Sequence, residues 1–274
     1  MKKYLRRVVY CGAGSMEEVL FEVSPEALAD DDIEGKEEGI LYLTDGEDYL
    51  KYLKGRGLPV AVWLHEQNRD QDFSGAAYVI EDPKEVETAY YEKIYRRELG
   101  IPWDILETER CLIREMIPED AEAFEAIYRE SGVNRYLKDF HGDADGEQKY
   151  IEEYQKQYRF FEYGVWSVVL KGTGEVIGRA GFSEGKTRDS LCFVKHFAGA
   201  DGGECETMED AKGTEQLQFG YVIGVPWQRQ GLAYEVCSAV LEYAEREWGF
   251  EKVYLYIEEE NKASLGLAEK LGFR

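Results

Sequence analysis

The segment "FGYVIGVPWQRQGLAYEVCSAVLEYA", Phe219–Ala244, constrains the fold more than any other part of the chain. An apolar run ends at Pro226, whose missing N–H cannot continue a central strand. A helical pattern begins almost at once. Ala233, Val236, Val240, Leu241, Ala244 and Trp248 recur at three- and four-residue spacing, and Gly249 supplies the stop. The hinge Gln228–Ala233 therefore carries the open N–H groups of a helix N-terminus directly after a strand. Unpaired donors and the helix dipole favour an anion there, and Gly231 and Ala233 leave room for a phosphate to approach the backbone.

The N-terminal third alternates strands and helices. "GILYLT" (39–44), "LPVAVWLH" (58–65) and "GAAYVIED" (75–82) read as strands. Residues 45–57 and 83–99 read as helices, the second with Pro83 in its first turn. Such alternation predicts a small Rossmann-like unit, a parallel sheet covered on both faces. "YCGAGSMEEVL" (10–20) holds a lone Gly-x-Gly before a helical stretch, a weak nucleotide signature better read as a turn.

After "GIPWDILETERC" the pattern changes, which sets predicted domains at 1–105 and 106–274. "CLIREM" (111–116) reads as a strand, 117–132 and about 146–161 as helices, and "VWSVVLKGTGEVIGRAGF" (165–182) as an antiparallel hairpin. Residues 183–216 are polar and Gly-rich, a long loop with "LCFVKHF" as its one ordered candidate. A strand (217–225), a helix (231–248), a strand (252–258) and a final helix (262–271) follow.

Composition limits the partners. With 33 Lys+Arg against 56 Asp+Glu, the net charge of −23 repels nucleic acid and anionic membranes and can draw in a cationic amine. The same acidity also serves plain solubility. Five scattered cysteines without CxxC and three distant histidines give neither a disulfide framework nor a metal site. No apolar stretch spans a bilayer, and Val8–Tyr10 is too short for a secretory core, so a cytoplasmic protein is expected.

The order strand, helix, helix, hairpin, strand, "QRQGLA", helix, strand, "NKASLGLAEKLGF" resembles the Gcn5-related N-acetyltransferase (GNAT) superfamily. "ETERCLIREMIPEDAEAF" and "TGEVIG" are similar to its ribosomal-protein N-acetyltransferase branch, and the similarity spans Glu107–Arg274. The resemblance implies a mixed sheet flanked by helices and acetyl transfer from acetyl-CoA, without a metal, to a small-molecule or peptide amine. It implies a pyrophosphate site on the amides of Gln228, Arg229, Gln230, Gly231, Leu232 and Ala233, with Arg229 adding charge. Val222, Ile223, Gly224 and Val225 match the strand that splays from its neighbour to pair with the pantetheine arm and hold the oxyanion. Asn261 and Ser264 match an N-x-x-S near the cofactor, although Asn261 equally suits helix capping.

Three features depart from that pattern. Gln218 stands where a glutamate base is usual, and Ala268 where a tyrosine acid is usual; Glu215, Tyr221 and Glu175 are the substitutes at hand, each also open to a structural role. The family continues past "LGF" with strands that pair with the one at 252–258. This chain ends at Arg274: either the sequence is truncated, or that strand is an edge to be covered by the N-terminal domain or by a second copy, which would make a homodimer. The acceptor is expected to meet the rim "SGVNRYLKDFHGDADGEQ", with Tyr136, Asp139, Phe140 and Asp143 as contacts and 183–216 as a lid. A non-catalytic acyl-CoA sensor is the alternative that Gln218 and Ala268 favour. Residues 45–86 loosely resemble the later half of haloacid dehalogenase-like domains, but the DxDx(T/V) nucleophile motif is missing. "ADDDIE" (29–34) lacks the preceding strand, so no phosphatase activity is expected.

Overall fold

The computed structural model describes residues 4–12, 18–22, 39–137, 143–185, 190–197 and 216–274, and separates into units Met1–Trp103 and Asp104–Arg274. In the first unit, β1 (Arg7–Tyr10) pairs antiparallel with β2 (Glu18–Glu22). On its other side β1 runs parallel to β3 (Ile40–Thr44), then β4 (Val60–Trp63) and β5 (Val79–Ile80), giving the order β2-β1-β3-β4-β5. Successive strand residues face opposite ways. Val8, Leu41, Leu43 and Ala61 pack with Tyr91, Ile94 and Tyr95 of α2 (Thr88–Glu98). Val9, Tyr42, Val60 and Val62 pack with Leu50 and Leu53 of α1 (Glu47–Gly55). The sheet is covered on both faces.

Three local expectations are corrected here. The helix predicted from Pro83 starts only at Thr88, because the Asp82 carboxylate and carbonyl accept the N–H groups of Lys84 and Glu85 and close a turn first. The strand predicted over 75–82 pairs only at Val79–Ile80. The stretch read as helical after Gly14 contains β2, which fills the open edge of β1. "ADDDIE" lies outside the described residues.

The second unit is built on a seven-stranded mixed sheet. Its strands are β6 (Asp104–Glu107), β7 (Cys111–Arg114), β8 (Val165–Leu170), β9 (Val176–Gly185), β10 (Leu191–His196), β11 (Gln216–Ile223) and β12 (Lys252–Ile257), in the order β10-β12-β11-β9-β8-β7-β6. Among the described residues β11 and β12 are its one parallel pair. The helix expected over 117–132 breaks at Glu130, whose backbone is extended, into α3 (Ala121–Arg129) and α4 (Ser131–Asn134). α5 (Ala144–Phe161) is capped by Asp143, whose carboxylate accepts the Gly146 N–H at 2.9 Å. α3 and α5 cover the face on which Arg179 stacks against Phe124, Tyr128 and Tyr150. α6 (Leu232–Trp248) covers the opposite face, where Trp166 meets Tyr243 and Trp248, and α7 (Lys262–Lys270) follows β12.

The edge expected at β12 is not open. "LCFVKH" forms β10, antiparallel to it from Leu191↔Ile257 to His196↔Lys252. The outer side of β10 in turn exchanges two backbone hydrogen bonds, 2.8 and 3.0 Å, between Val194 and Arg274. The chain covers β12 itself, which removes the premise of the expected homodimer. Among the described residues no helix is long and apolar enough to cross a membrane.

Candidate functional site

β11 and β12 pair at Gln218↔Tyr254 and then part, while β11 stays bonded to β9 as far as Ile223↔Gly178. The wedge between them opens into two adjoining cavities of about 590 and 670 Å³. Tyr136, Leu137, Tyr221, Val222, Asn261 and Ser264 line both, so they form one continuous cleft. One arm reaches Tyr128, Tyr150, Arg179 and Gln218; the other reaches Gln228, Arg229, Gly231 and Ala233.

The hinge between β11 and α6 has the shape of an anion nest. Arg229 (φ 61°) and Gly231 (φ 81°) are both left-handed, a conformation that glycine takes freely and arginine only under constraint. The constraint comes from the glutamines: Gln228 Nε2 donates to Ile223 O at 2.8 Å, and Gln230 Nε2 to Pro226 O at 2.9 Å. The Gln228 N–H is used within the turn, donating to Val225 O at 3.2 Å. From Arg229 to Ala233, the backbone N–H groups have no partner among the described residues.

Of the four strand positions expected to meet a pantetheine arm, Val222 and Ile223 keep the β12-facing edge of β11 unladdered. The Gly224 N–H is taken by Ile177 O at 2.9 Å, and the Val225 N–H by the Glu130 carboxylate at 2.6 Å. Asn261 caps α7, its side-chain oxygen accepting the Ser264 N–H at 3.1 Å, and still lines the cleft. Capping and cleft lining are thus compatible.

Tyr221 sits where the two arms meet. Burial, with a smaller contribution from Cys237, raises its hydroxyl well above the ordinary phenol range despite a hydrogen bond with Ser264. At neutral pH it is a proton donor. Gln218 is buried on the cleft wall, and Ala268 is buried in α7. Glu175 lies exposed in the β8–β9 turn, where its carbonyl accepts the Leu170 N–H, and it is not part of either cavity wall. Glu215, Asp139 and Phe140 lie outside the described residues.

The arm that reaches Tyr128 and Gln218 rests on a buried ion pair. Arg179 Nη1 lies 3.0 Å from Glu147 Oε2, and Arg179 Nε donates to Tyr128 Oη at 2.9 Å. Burial alone would lower the guanidinium's pKa, but Tyr128, Tyr150 and Glu147 more than reverse this. Burial pushes the Tyr128 hydroxyl up to about 12. Of the rim residues, Tyr136 donates to Glu260 O at 3.3 Å across the cleft mouth, and Asp143 is spent on capping α5. Among the described residues no cluster of three or more His, Cys, Asp or Glu could hold a metal.

Sequence reasoning missed Arg179, Glu147 and Arg110, since nothing in the local pattern marks them. Arg110, just before β7, reaches the hinge from far along the chain: its Nη1 donates to Gln230 O at 2.9 Å, and its fork grips Glu235 of α6.

Residues 110–274 match the family model of the acetyltransferase (GNAT) domain, and the chain belongs to that family. Among curated proteins it is similar to the uncharacterized N-acetyltransferase YoaA of Bacillus subtilis (strain 168), with 26% identity over 176 residues, 62% of this chain and 82% of that protein. Among solved structures it is similar to an acetyltransferase (GNAT family) from Bacillus anthracis, with 20% identity, TM-score 0.45, and 62% and 82% of the two chains covered. It is also similar to the ribosomal-protein-S5-alanine acetyltransferase of Vibrio fischeri, with 14% identity, TM-score 0.47, and 62% and 82% covered.

Proposed function

We propose that this acetyltransferase carries an acetyl group from acetyl-CoA to a primary amine, on a small molecule or peptide, by direct attack. The observation that carries the reading is the run of unpartnered amides from Arg229 to Ala233, at the mouth of the wedge between β11 and β12. The chain's net charge of −23 works against an anionic cofactor at long range, so close-range donors must supply its binding. The diphosphate would lie on these amides and the pantetheine arm along β11 past Val222 and Ile223, placing the thioester beside Tyr221. A free β11 amide would polarise its carbonyl.

The neutral amine attacks from the arm bounded by Tyr128, Arg179 and Gln218. A tetrahedral intermediate forms, the carbon–sulfur bond breaks, and the departing thiolate takes a proton from Tyr221 through a phenol poised by Ser264. Because Gln218 cannot accept a proton, the amine's proton passes to water in the cleft, and water returns a proton to the Tyr221 phenolate. Positioning in the wedge and polarisation of the carbonyl supply most of the acceleration.

Isothermal titration with coenzyme A, followed by thiol release from acetyl-CoA over a panel of amines and peptide N-termini, tests this. Binding and release are expected; no binding would sink the reading. The amide of Gln218 and the methyl of Ala268 favour one second reading, an acyl-CoA sensor without turnover. Tight binding with no release across the panel would select it.

A further inference from the structure

We propose that Arg110 aims the amide cradle and keeps it vacant, acting as a positioning residue for cofactor binding; the inference rests on the reading of Gln228–Ala233 as a diphosphate site. Arg110 makes four contacts there. Its Nη1 donates to Gln230 O at 2.9 Å, its Nε and Nη2 each lie 2.7 Å from Glu235 Oε2, and its own N–H donates to Glu235 Oε1 at 2.8 Å.

The first consequence concerns direction. The carbonyl of Gln230 and the N–H of Gly231 belong to one planar trans peptide and point opposite ways. Holding that oxygen therefore holds the Gly231 N–H outward, away from the guanidinium. A cationic donor on the oxygen also polarises the amide and makes its N–H a stronger donor. Gly231 (φ 81°) takes positive and negative φ about equally well, so this peptide can flip unless something fixes it. The guanidinium lies against the turn, since a Cβ built on Gly231 would stand 3.5 Å from Arg110 Nη2.

The second consequence concerns charge. Glu235 occupies the first turn of α6, where a carboxylate can fold back onto the free N–H groups and fill the site from within. Here both its oxygens are taken by Arg110. Burial opposes ionisation of Glu235, but hydrogen bonds from Thr108 and Arg110 hold its pKa below the usual carboxylate range, so the pair stays ionic. Arg110 thus removes an internal competitor and offsets a negative charge beside the phosphates.

The test uses the full chain with coenzyme A in titration and acetyl-CoA in steady state. R110A is expected to raise the Kd for coenzyme A and the KM for acetyl-CoA about ten-fold, with kcat falling far less. R110K should recover little, because a single ammonium cannot span the carbonyl and the carboxylate together. R110K also serves if R110A does not fold. Unchanged Kd in a folded R110A or R110K, or full recovery in R110K, would overturn the assignment of Arg110 alone. A wild-type protein that does not bind coenzyme A would overturn the cradle and this assignment with it.

Discussion

Severing the Arg179–Glu147 pair offers a quantitative test of how the second unit is held together. Glu147 is 0% exposed and Arg179 5%, and their contact at 3.0 Å is reinforced by Tyr128. In R179M the Glu147 carboxylate stays buried with no cation, and its Oε1 already has no hydrogen-bond partner. Breaking a buried pair from one side costs about 3–5 kcal/mol. For a unit of the size of Asp104–Arg274 this corresponds to a fall in Tm of roughly 8–14 °C. The double variant R179M/E147L replaces the pair with apolar groups and should recover most of the loss, because no unpaired charge remains. Differential scanning calorimetry of the full chain reads this on the transition of that unit. Additive losses in the double variant, or an R179M that melts with wild type, would refute the reasoning. The first would mean that packing around Tyr128 and Tyr150, rather than charge, dominates; the second, that water reaches the carboxylate.

Other expectations are as follows. Y221F should lower kcat by roughly ten- to a hundred-fold with little change in KM for acetyl-CoA. The raised pKa keeps Tyr221 protonated through about pH 10, so this loss should be the same from about pH 7 to 10, and a loss confined to the alkaline side would contradict the role. In G178A the added Cβ would lie 2.0 Å from Val222 O, forcing β11 away from β9, so a loss of about 1–3 kcal/mol and weakened coenzyme A binding are expected together; wild-type values for both would count against it. Because Val194 turns its backbone groups to Arg274, Phe193 turns its own to β12, and F193P should open that edge. Sedimentation should then detect self-association in F193P and not in wild type; association in both would restore a dimer on other grounds.

How far the site was legible depends on how far apart its parts lie in sequence. The hinge is local: Pro226, the glycine at 231 and the 3.6-residue period after it fall within one stretch, and the backbone preferences of those residues fix the turn. The cap at Asn261 is likewise a matter of three residues. Val225 and Gly224 were less legible, because the groups that occupy their amides, Glu130 and Ile177, come from other elements.

The sequence by itself determined the α/β class, the change of pattern after the first hundred or so residues, and the strand–turn–helix that leaves amides exposed. These follow from local propensity and periodicity, which each segment carries wherever it goes. Only the tertiary structure decided that "LCFVKH" seals β12, that Arg110 reaches the Gln230 carbonyl, and that a buried Arg179–Glu147 pair backs one arm of the cleft. Each of these joins groups distant along the chain. Which distant donor reaches which acceptor is set by how the sheet orders its strands, and no local pattern encodes that order.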